Sequence, residues 1–149
     1  MERNINSVAL GSFAGMLGFM HPRAEVANAN EEVRRLSIKT ANLNTAARDL
    51  SGGNQQKIVL AKWLAIKPKV LILDEPTRGV DVGAKFEIYK IIRQLAAQGT
   101  AIVMVSSELS EILGMSDRVV IMHNKKIVAE RQAAGLTQES VMRDAAGVE

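Results

Sequence analysis

The sequence predicts an α/β protein in which a mostly parallel sheet is flanked by helices and preceded by a helical region. The first observation is that helical stretches alternate with short aliphatic strands after Leu50. This alternation implies right-handed crossovers between parallel strands. The second is that the residues before Leu50 contain a helical run and no strand alternation. We therefore divide the chain into a helical region, residues 1–49, and an α/β region, residues 50–149.

Composition narrows the class of protein. The chain has 149 residues, of which 47% are hydrophobic, 23% are charged and 3% are aromatic, so a globular domain with an aliphatic core is expected. A net charge of +3 is too small to indicate a nucleic-acid binder. The sequence has no cysteine, which excludes disulfides and thiolate metal sites, and its two histidines are far apart. A histidine metal cluster is therefore not expected.

The helical region begins with an apolar stretch, Val8 to Met20, that is too short to span a bilayer. The segment Ala27–Ala29 mimics the cleavage site of a signal peptide, but the preceding residues carry little positive charge and glycines interrupt the stretch. We expect a buried helix at the start of a soluble domain. A further helix is predicted over Ala24–Lys39, and Thr40–Asp49 is typical of a loop.

Three elements open the α/β region. Asn54–Ile66 is apolar on most sides, which predicts a well-buried helix with Trp63 in the core. Val70–Leu73 is a continuous aliphatic run, typical of a strand buried on both faces. Asp81 is suited to cap a helix over Val82–Gln98. The inward face of that helix is expected to hold Ile88, Ile91, Ile92 and Leu95, and its solvent face Lys85, Glu87, Lys90 and Arg93.

The rest of the chain continues the alternation, and its methionines are expected to fill the core. Those methionines are Met104, Met115 and Met122. The predicted elements are a buried strand at Ala101–Val105, a helix at Ser107–Met115, a strand at Arg118–Met122, a turn at His123–Lys125, an antiparallel edge strand at Lys126–Glu130, and a helix capped by Thr137 and running through Ala145.

Two acidic residues, Asp74 and Glu75, stand at the carboxyl end of the first aliphatic strand. Ligands of open α/β sheets bind beyond the carboxyl ends of the strands. A carboxylate fixed there can hold Mg²⁺, and a second one can polarise a water for attack on a phosphate. A plain acidic turn at the end of the strand is the alternative explanation.

A second candidate site is formed by Ser51, Gly52 and Gly53, which open a helix. Glycines let backbone N–H groups approach an anion closely, and the amino-terminal end of a helix attracts negative charge. This arrangement suits a phosphate group. An ordinary N-cap followed by a flexible glycine turn is the alternative explanation.

Taken together and in this order, the two sites resemble the motifs of ABC-transporter ATPases. LSGGNQQK, Leu50 to Lys57, resembles the signature motif. VLILDEPT, Val70 to Thr77, resembles the Walker B strand and the glutamate after it, and Gly79–Asp81 resembles the D-loop. The longer strings LSGGNQQK and DEPTRGVDVGAK are similar to the second ATPase domain of tandem ATPases that drive bacterial ribose- and xylose-type importers. The resemblance implies a partial P-loop NTPase fold whose helical subdomain includes residues 1–49.

The resemblance also implies a role for each matching residue and two cofactors, ATP and Mg²⁺. Two ATPase domains of this family pair head to tail around ATP. Asp74 would be the Mg²⁺-associated carboxylate and Glu75 the catalytic carboxylate. Ser51, Gly52 and Gly53 would reach the γ-phosphate of ATP held by the partner domain. Asp81 would couple the two ATP sites, and Ser107 aligns with the family's switch histidine.

The sequence departs from the family pattern at two points. No lysine follows a glycine anywhere in the chain, so the Walker A sequence Gly-Lys followed by Ser or Thr is missing. We expect the isolated chain to hydrolyse ATP negligibly for that reason. Ser107 replaces the histidine, and serine cannot supply a cationic contact to phosphate near neutral pH.

The leading hypothesis is an ATPase subunit, or a fragment of one, in a monosaccharide importer. It would lie at the cytoplasmic face of the bacterial inner membrane and bind transmembrane permease subunits, a second ATPase domain or a missing amino-terminal half, and indirectly a periplasmic sugar-binding protein. One alternative is a non-catalytic module that lends its signature motif to a partner ATPase. Another is a DNA-repair or translation ATPase, which the absence of a strong basic tract disfavours. No nucleic-acid partner is expected.

Overall fold

The computed structural model describes residues 1–9 and 21–147 and divides the chain into two compact units. The first unit comprises Met1–Leu71 and Pro76–Ile102, and the second comprises Ile72–Glu75 and Val103–Glu149. The buried helix predicted over Val8–Met20 falls almost entirely outside the described residues. The division into residues 1–49 and 50–149 stays a prediction.

Helices and strands alternate along the described chain, as the α/β prediction requires. In order, the elements are α1 (Glu2–Asn6), α2 (Pro22–Arg35), a 3-10 turn (Ala47–Asp49), α3 (Gly52–Leu64), β1 (Val70–Asp74), α4 (Val82–Ala97), β2 (Ala101–Val105), α5 (Leu109–Met115), β3 (Arg118–His123), β4 (Lys126–Gln132) and α6 (Gln138–Ala146). Within the residues described, no helix is long and apolar enough to cross a membrane.

The first unit is built around α3, which contacts α1, α2 and α4. The inward face predicted for α4 is confirmed, since its four aliphatic residues are all buried. The N-cap predicted at Asp81 is also confirmed, because its Oδ1 accepts a hydrogen bond from the backbone N–H of Ala84 at 2.9 Å. The buried aliphatic residues of α3 are Ile58, Leu60, Ala61 and Leu64.

The second unit contains an antiparallel hairpin of β3 and β4, which pairs Arg118 with Gln132 and His123 with Lys126. This pairing confirms the predicted antiparallel strand. The helix α6 begins with a capping box, in which Thr137 and Ser140 each bond to the other's backbone N–H group. The core of the hairpin and helix consists of Val119, Ile121 and Val141.

The strands β1 and β2 form a second two-stranded sheet. Ala101 donates its N–H to the carbonyl of Lys69, and Glu75 donates its N–H to the carbonyl of Val105, so the strands run parallel. The expectation that the third strand would join them in one sheet was wrong for the described residues, since β3 pairs with β4 instead.

The prediction that β1 is buried on both faces was wrong. Its residues alternate between exposed and buried, and Ile72 is 70% exposed. The same correction applies to β2, where Val103 and Val105 are exposed. A continuous aliphatic run indicates a strand with two apolar faces. Each face is buried only where another element covers it, and the described residues cover one face of β1.

Trp63 and Met122 were expected in the core, and both are exposed, Trp63 at 46%. The Lys62 ammonium lies 5.3 Å from the Trp63 ring centroid, which gives the indole a cation–π partner at the surface. Val59 and Ile66 are also exposed, so α3 is buried on one face only and not on most sides. Hydrophobic content alone did not reveal which face of α3 meets the core.

Candidate functional site

The start of α3 presents an exposed serine beside the first turn of the helix. Ser51 is the N-cap residue, but its side chain makes no capping bond to that turn. Its Oγ instead accepts a hydrogen bond from Asn54 Nδ2 at 2.9 Å, and Asn54 Oδ1 accepts one from the N–H of Lys39 at 2.9 Å. Because the first N–H groups of a helix lack partners within it, this end is suited to an anion.

The two glycines of this segment have different surroundings. A Cβ on Gly53 would lie 2.4 Å from the Cβ of Ala84, which no real contact tolerates. A Cβ on Gly52 would lie 3.5 Å from the carbonyl oxygen of Gly79, which is an ordinary contact. Gly53 therefore allows α3 to pack closely on α4. The sequence motif suggested a role in phosphate binding for this glycine and not a role in helix packing.

Asp81 lies at the same end of the first unit as Ser51 and Gly53, because all three line one cavity of about 230 Å³. The Asp81 side chain is exposed while it caps α4. The structure thus brings together three of the residues singled out from sequence, together with the exposed Gly52. The remaining lining residues are Lys39, Asn54, Gly83, Ala84 and Glu87.

An ion pair between a buried lysine and an exposed glutamate reaches this cavity, and it was not expected from the sequence. Lys57 Nζ lies 2.6 Å from Glu87 Oε2, and the side chains of Lys57 and Glu87 are 2% and 46% exposed. The hydrogen bond from Lys57 holds the pKa of Glu87 below its ordinary value. Glu87 was expected to face water, and its side chain is exposed as predicted while it bonds to Lys57. The available signal was a lysine among the apolar residues of α3.

The acidic pair belongs to the second unit. Asp74 is the last residue of β1, and its side chain is exposed. Glu75 has φ +48°, a left-handed conformation that costs a non-glycine residue about 1–3 kcal/mol. Its Oε1 accepts a hydrogen bond from the backbone N–H of Ser107 at 2.9 Å. The structure therefore brings Glu75 and Ser107 together and orients the carboxylate through a main-chain group.

Residues 2–78 match the family described as ABC transporter. The chain is 53% identical over 147 residues to the ribose import ATP-binding protein RbsA of Bacillus subtilis, covering 99% of the chain and 30% of that protein. It is 49% identical over 143 residues to the xylose import ATP-binding protein XylG of Escherichia coli K12, covering 96% of the chain and 28% of that protein. The chain thus spans less than a third of the length of these curated relatives.

Solved structures share the fold at low sequence identity. A dimeric bacterial ABC transporter cassette superposes with a TM-score of 0.74 at 20% identity, over 89% of this chain and 56% of that one. An inward-facing, metal-chelate type ABC transporter gives 0.78 at 16% identity, over 96% of this chain and 56% of that one. These likenesses agree with the partial α/β ATPase fold that was predicted.

Proposed function

The chain belongs to the ABC transporter family, and on that premise we propose that it is part of an ATP-hydrolysing subunit that drives import of a monosaccharide. The ribose and xylose import relatives support the sugar class. The observation that carries the proposal is the arrangement at the start of α3, where the exposed Ser51 and the uncapped helix end lie beside Asp81. The phosphate of ATP that is bound by a partner subunit can reach such a surface.

In this proposal, Ser51, Gly52 and Gly53 hold the γ-phosphate of ATP that is bound by a partner ATPase domain. The Ser51 hydroxyl and the free N–H groups of the first turn donate hydrogen bonds to the phosphate oxygens. Asp81 begins α4 beside them and relays the occupancy of one ATP site to the other. Because the phosphate ligands come from two domains, their association depends on ATP.

The acidic pair would supply the chemistry of the second half-site. Asp74 is an exposed carboxylate at the end of a strand, which fits Mg²⁺, because this ion takes one or two carboxylates together with phosphate oxygens. Mg²⁺, when bound, neutralises phosphate charge. Glu75 polarises the attacking water with a carboxylate that the Ser107 N–H holds in place. The Ser107 hydroxyl would provide a neutral contact near the phosphate.

The partners in this proposal are transmembrane permease subunits, a second ATPase domain and, indirectly, a periplasmic sugar-binding protein. The assembly would sit at the cytoplasmic face of the inner membrane, with the helical region of residues 1–49 as the docking part. The exposed apolar residues Ile72, Val103 and Val105 support a further ATPase segment that covers this sheet.

The test is a graft in which this chain replaces the matched segment of the Bacillus subtilis ribose import protein. We expect the grafted protein to hydrolyse ATP, and Glu75→Gln to lower kcat by about 10²- to 10⁴-fold. We expect phosphate release by the chain alone to equal that of its own Glu75→Gln variant. A folded graft that binds ATP without hydrolysing it would contradict the catalytic proposal.

The second candidate function is a non-catalytic module that lends its signature motif to a partner. The absence of any glycine followed by lysine in the sequence favours it. In the same graft, this function predicts that Ser51→Arg abolishes ATP hydrolysis while Glu75→Gln leaves it unchanged. The catalytic proposal predicts that Ser51→Arg abolishes it and that Glu75→Gln lowers kcat by about 10²- to 10⁴-fold.

A further inference from the structure

Lys57 places a charge inside the first unit, and the structure supplies it with two partners. Its Nζ donates hydrogen bonds to Glu87 Oε2 at 2.6 Å and to the carbonyl oxygen of Ser37 at 3.0 Å. Burying an ammonium group is unfavourable unless other groups replace its water. An ion pair with one exposed partner contributes little to stability, so stability alone gives little reason for it.

The position of the pair along the helices suggests what it does. Lys57 follows Gly53 by four residues on α3, and Glu87 follows Ala84 by three residues on α4, so each lies one turn further along the same helix face. The close approach of Gly53 to Ala84 and the Lys57–Glu87 bond are therefore successive contacts of one helix–helix interface. Two contacts one turn apart fix both the rotation and the depth of α3 against α4.

The Ser37 carbonyl extends this arrangement to the segment after α2. Ser37 bonds to Lys57, and two residues later the N–H of Lys39 bonds to Asn54, whose amide bonds to Ser51. The Lys57 ammonium and the Ser51 hydroxyl are thus joined through three hydrogen bonds and the backbone between Ser37 and Lys39. Movement of Lys57 would be transmitted to the exposed serine by this route as well as by the helix.

We propose that Lys57 and Glu87 form a positioning pair that sets the place of Ser51, Gly52 and Gly53 relative to Asp81. The pair touches no substrate in this scheme and acts through the helix ends. The consequence for ATP hydrolysis rests on the proposed function, whereas the geometric consequence does not. The two consequences are therefore tested separately, the first on the chain itself and the second on the graft.

The geometric test uses the chain labelled with 15N-glycine. The amide signals of Gly52, Gly53 and Gly83 report on the starts of α3 and α4, and those of Gly99, Gly114 and Gly135 report on distant positions. We expect Lys57→Met to shift the first group and leave the second in place. If Lys57→Met does not fold, Glu87→Gln serves instead, because Glu87 is 46% exposed. Unmoved signals of the first group in a folded variant would overturn the proposal.

A conservative variant and a surface pair provide the controls. Lys57→Arg keeps the charge and several N–H donors, so its signals should move less than those of Lys57→Met. The Arg118–Glu130 pair is equally short, at 2.7 Å, but both of its side chains are exposed. We expect Arg118→Gln to leave the amide signals of Gly52, Gly53 and Gly83 unmoved. A comparable shift in Arg118→Gln would show that loss of any ion pair moves these signals.

The functional test uses the graft in the ribose import protein. We expect Lys57→Met to lower kcat by about 10- to 100-fold with little change in KM, because misplacing a group by 1 Å can cost this much. The double variant Lys57→Met/Glu87→Gln should be no slower than the worse single variant. If Ser51→Arg has no effect, the proposed function fails. If Ser51→Arg abolishes activity and Lys57→Met changes nothing, the positioning role alone fails.

Discussion

The start of α3 and the end of β1 each carry candidate ATP-site residues, but they are supported in different ways. At the start of α3, the chain itself supplies the close Gly53–Ala84 approach, the Asp81 cap and the Lys57–Glu87 bond. At the end of β1, Asp74 and Glu75 extend from a strand whose alternate residues are exposed, with Ile72 at 70%. The start of α3 is held by contacts with α4 inside its own unit, whereas the strand has an apolar face in water.

This difference indicates which part of the site the chain can form by itself. A helix end that is fixed by contacts within its own unit keeps its geometry without a partner. A strand with an exposed aliphatic face gains its remaining burial only when another segment covers it. We therefore expect substitutions near α3 to be felt in the isolated chain, and substitutions on the exposed strand face to be felt only after assembly.

The largest effect around the start of α3 is expected for Gly53→Ala. Its new Cβ would force α3 away from Ala84, and this overpacking outweighs the higher helix propensity of alanine. The free energy of unfolding should therefore fall by about 1–2 kcal/mol. Gly52→Ala is the matched control, because its Cβ meets only an ordinary contact, and it should be neutral or stabilising. Urea unfolding measures both, and equal midpoints would contradict the packing argument.

A smaller effect is expected for Asp81→Ala, which removes the hydrogen bond to the Ala84 N–H and should cost about 1 kcal/mol. Ser51→Ala occupies the equivalent position on α3 but removes no capping bond, so it should cost less. Thermal unfolding of the two variants compares them directly. A larger loss for Ser51→Ala would mean that the serine serves stability and is not free for a ligand.

The Lys57–Glu87 bond predicts a pH dependence in the same unit. Because the pKa of Glu87 is lowered in the folded protein, its stabilisation is present above the unfolded pKa and is lost as pH falls through the folded pKa. Glu87 is half exposed, so solvent screening limits the effect to about 0.5 kcal/mol. The difference in unfolding midpoint between the original chain and Glu87→Gln should shrink from pH 7 to below pH 4. A constant difference would exclude this linkage.

The smallest effect is expected for Ile72→Thr, which keeps the β-branched shape and removes apolar surface that is already in water. In the isolated chain, Ile72→Thr should change the free energy of unfolding by less than about 0.5 kcal/mol. Leu73→Ala, on the buried face, should lower the free energy of unfolding by about 2–5 kcal/mol. In the graft, where the proposed covering segment is present, Ile72→Thr should become clearly destabilising. An unchanged graft would mean that this face stays uncovered after assembly.

Local sequence patterns predicted much of this structure. The caps at Asp81 and Thr137, the inward face of α4 and the antiparallel pairing of β3 with β4 were all confirmed. Each depends on residues that are close in sequence, such as an acceptor three positions before the N–H that it bonds. The α/β class followed from the order of these elements.

The sequence by itself determined the element types, the order of the motifs and the family to which the chain belongs. Only the tertiary structure decided that Gly53 contacts Ala84, that Lys57 bonds Glu87 across 30 residues, and that Trp63 and one face of β1 are exposed. The physical reason is that caps and helical periodicity are set by neighbours a few residues away. Burial and ion pairing depend instead on which distant segment comes to lie against a side chain.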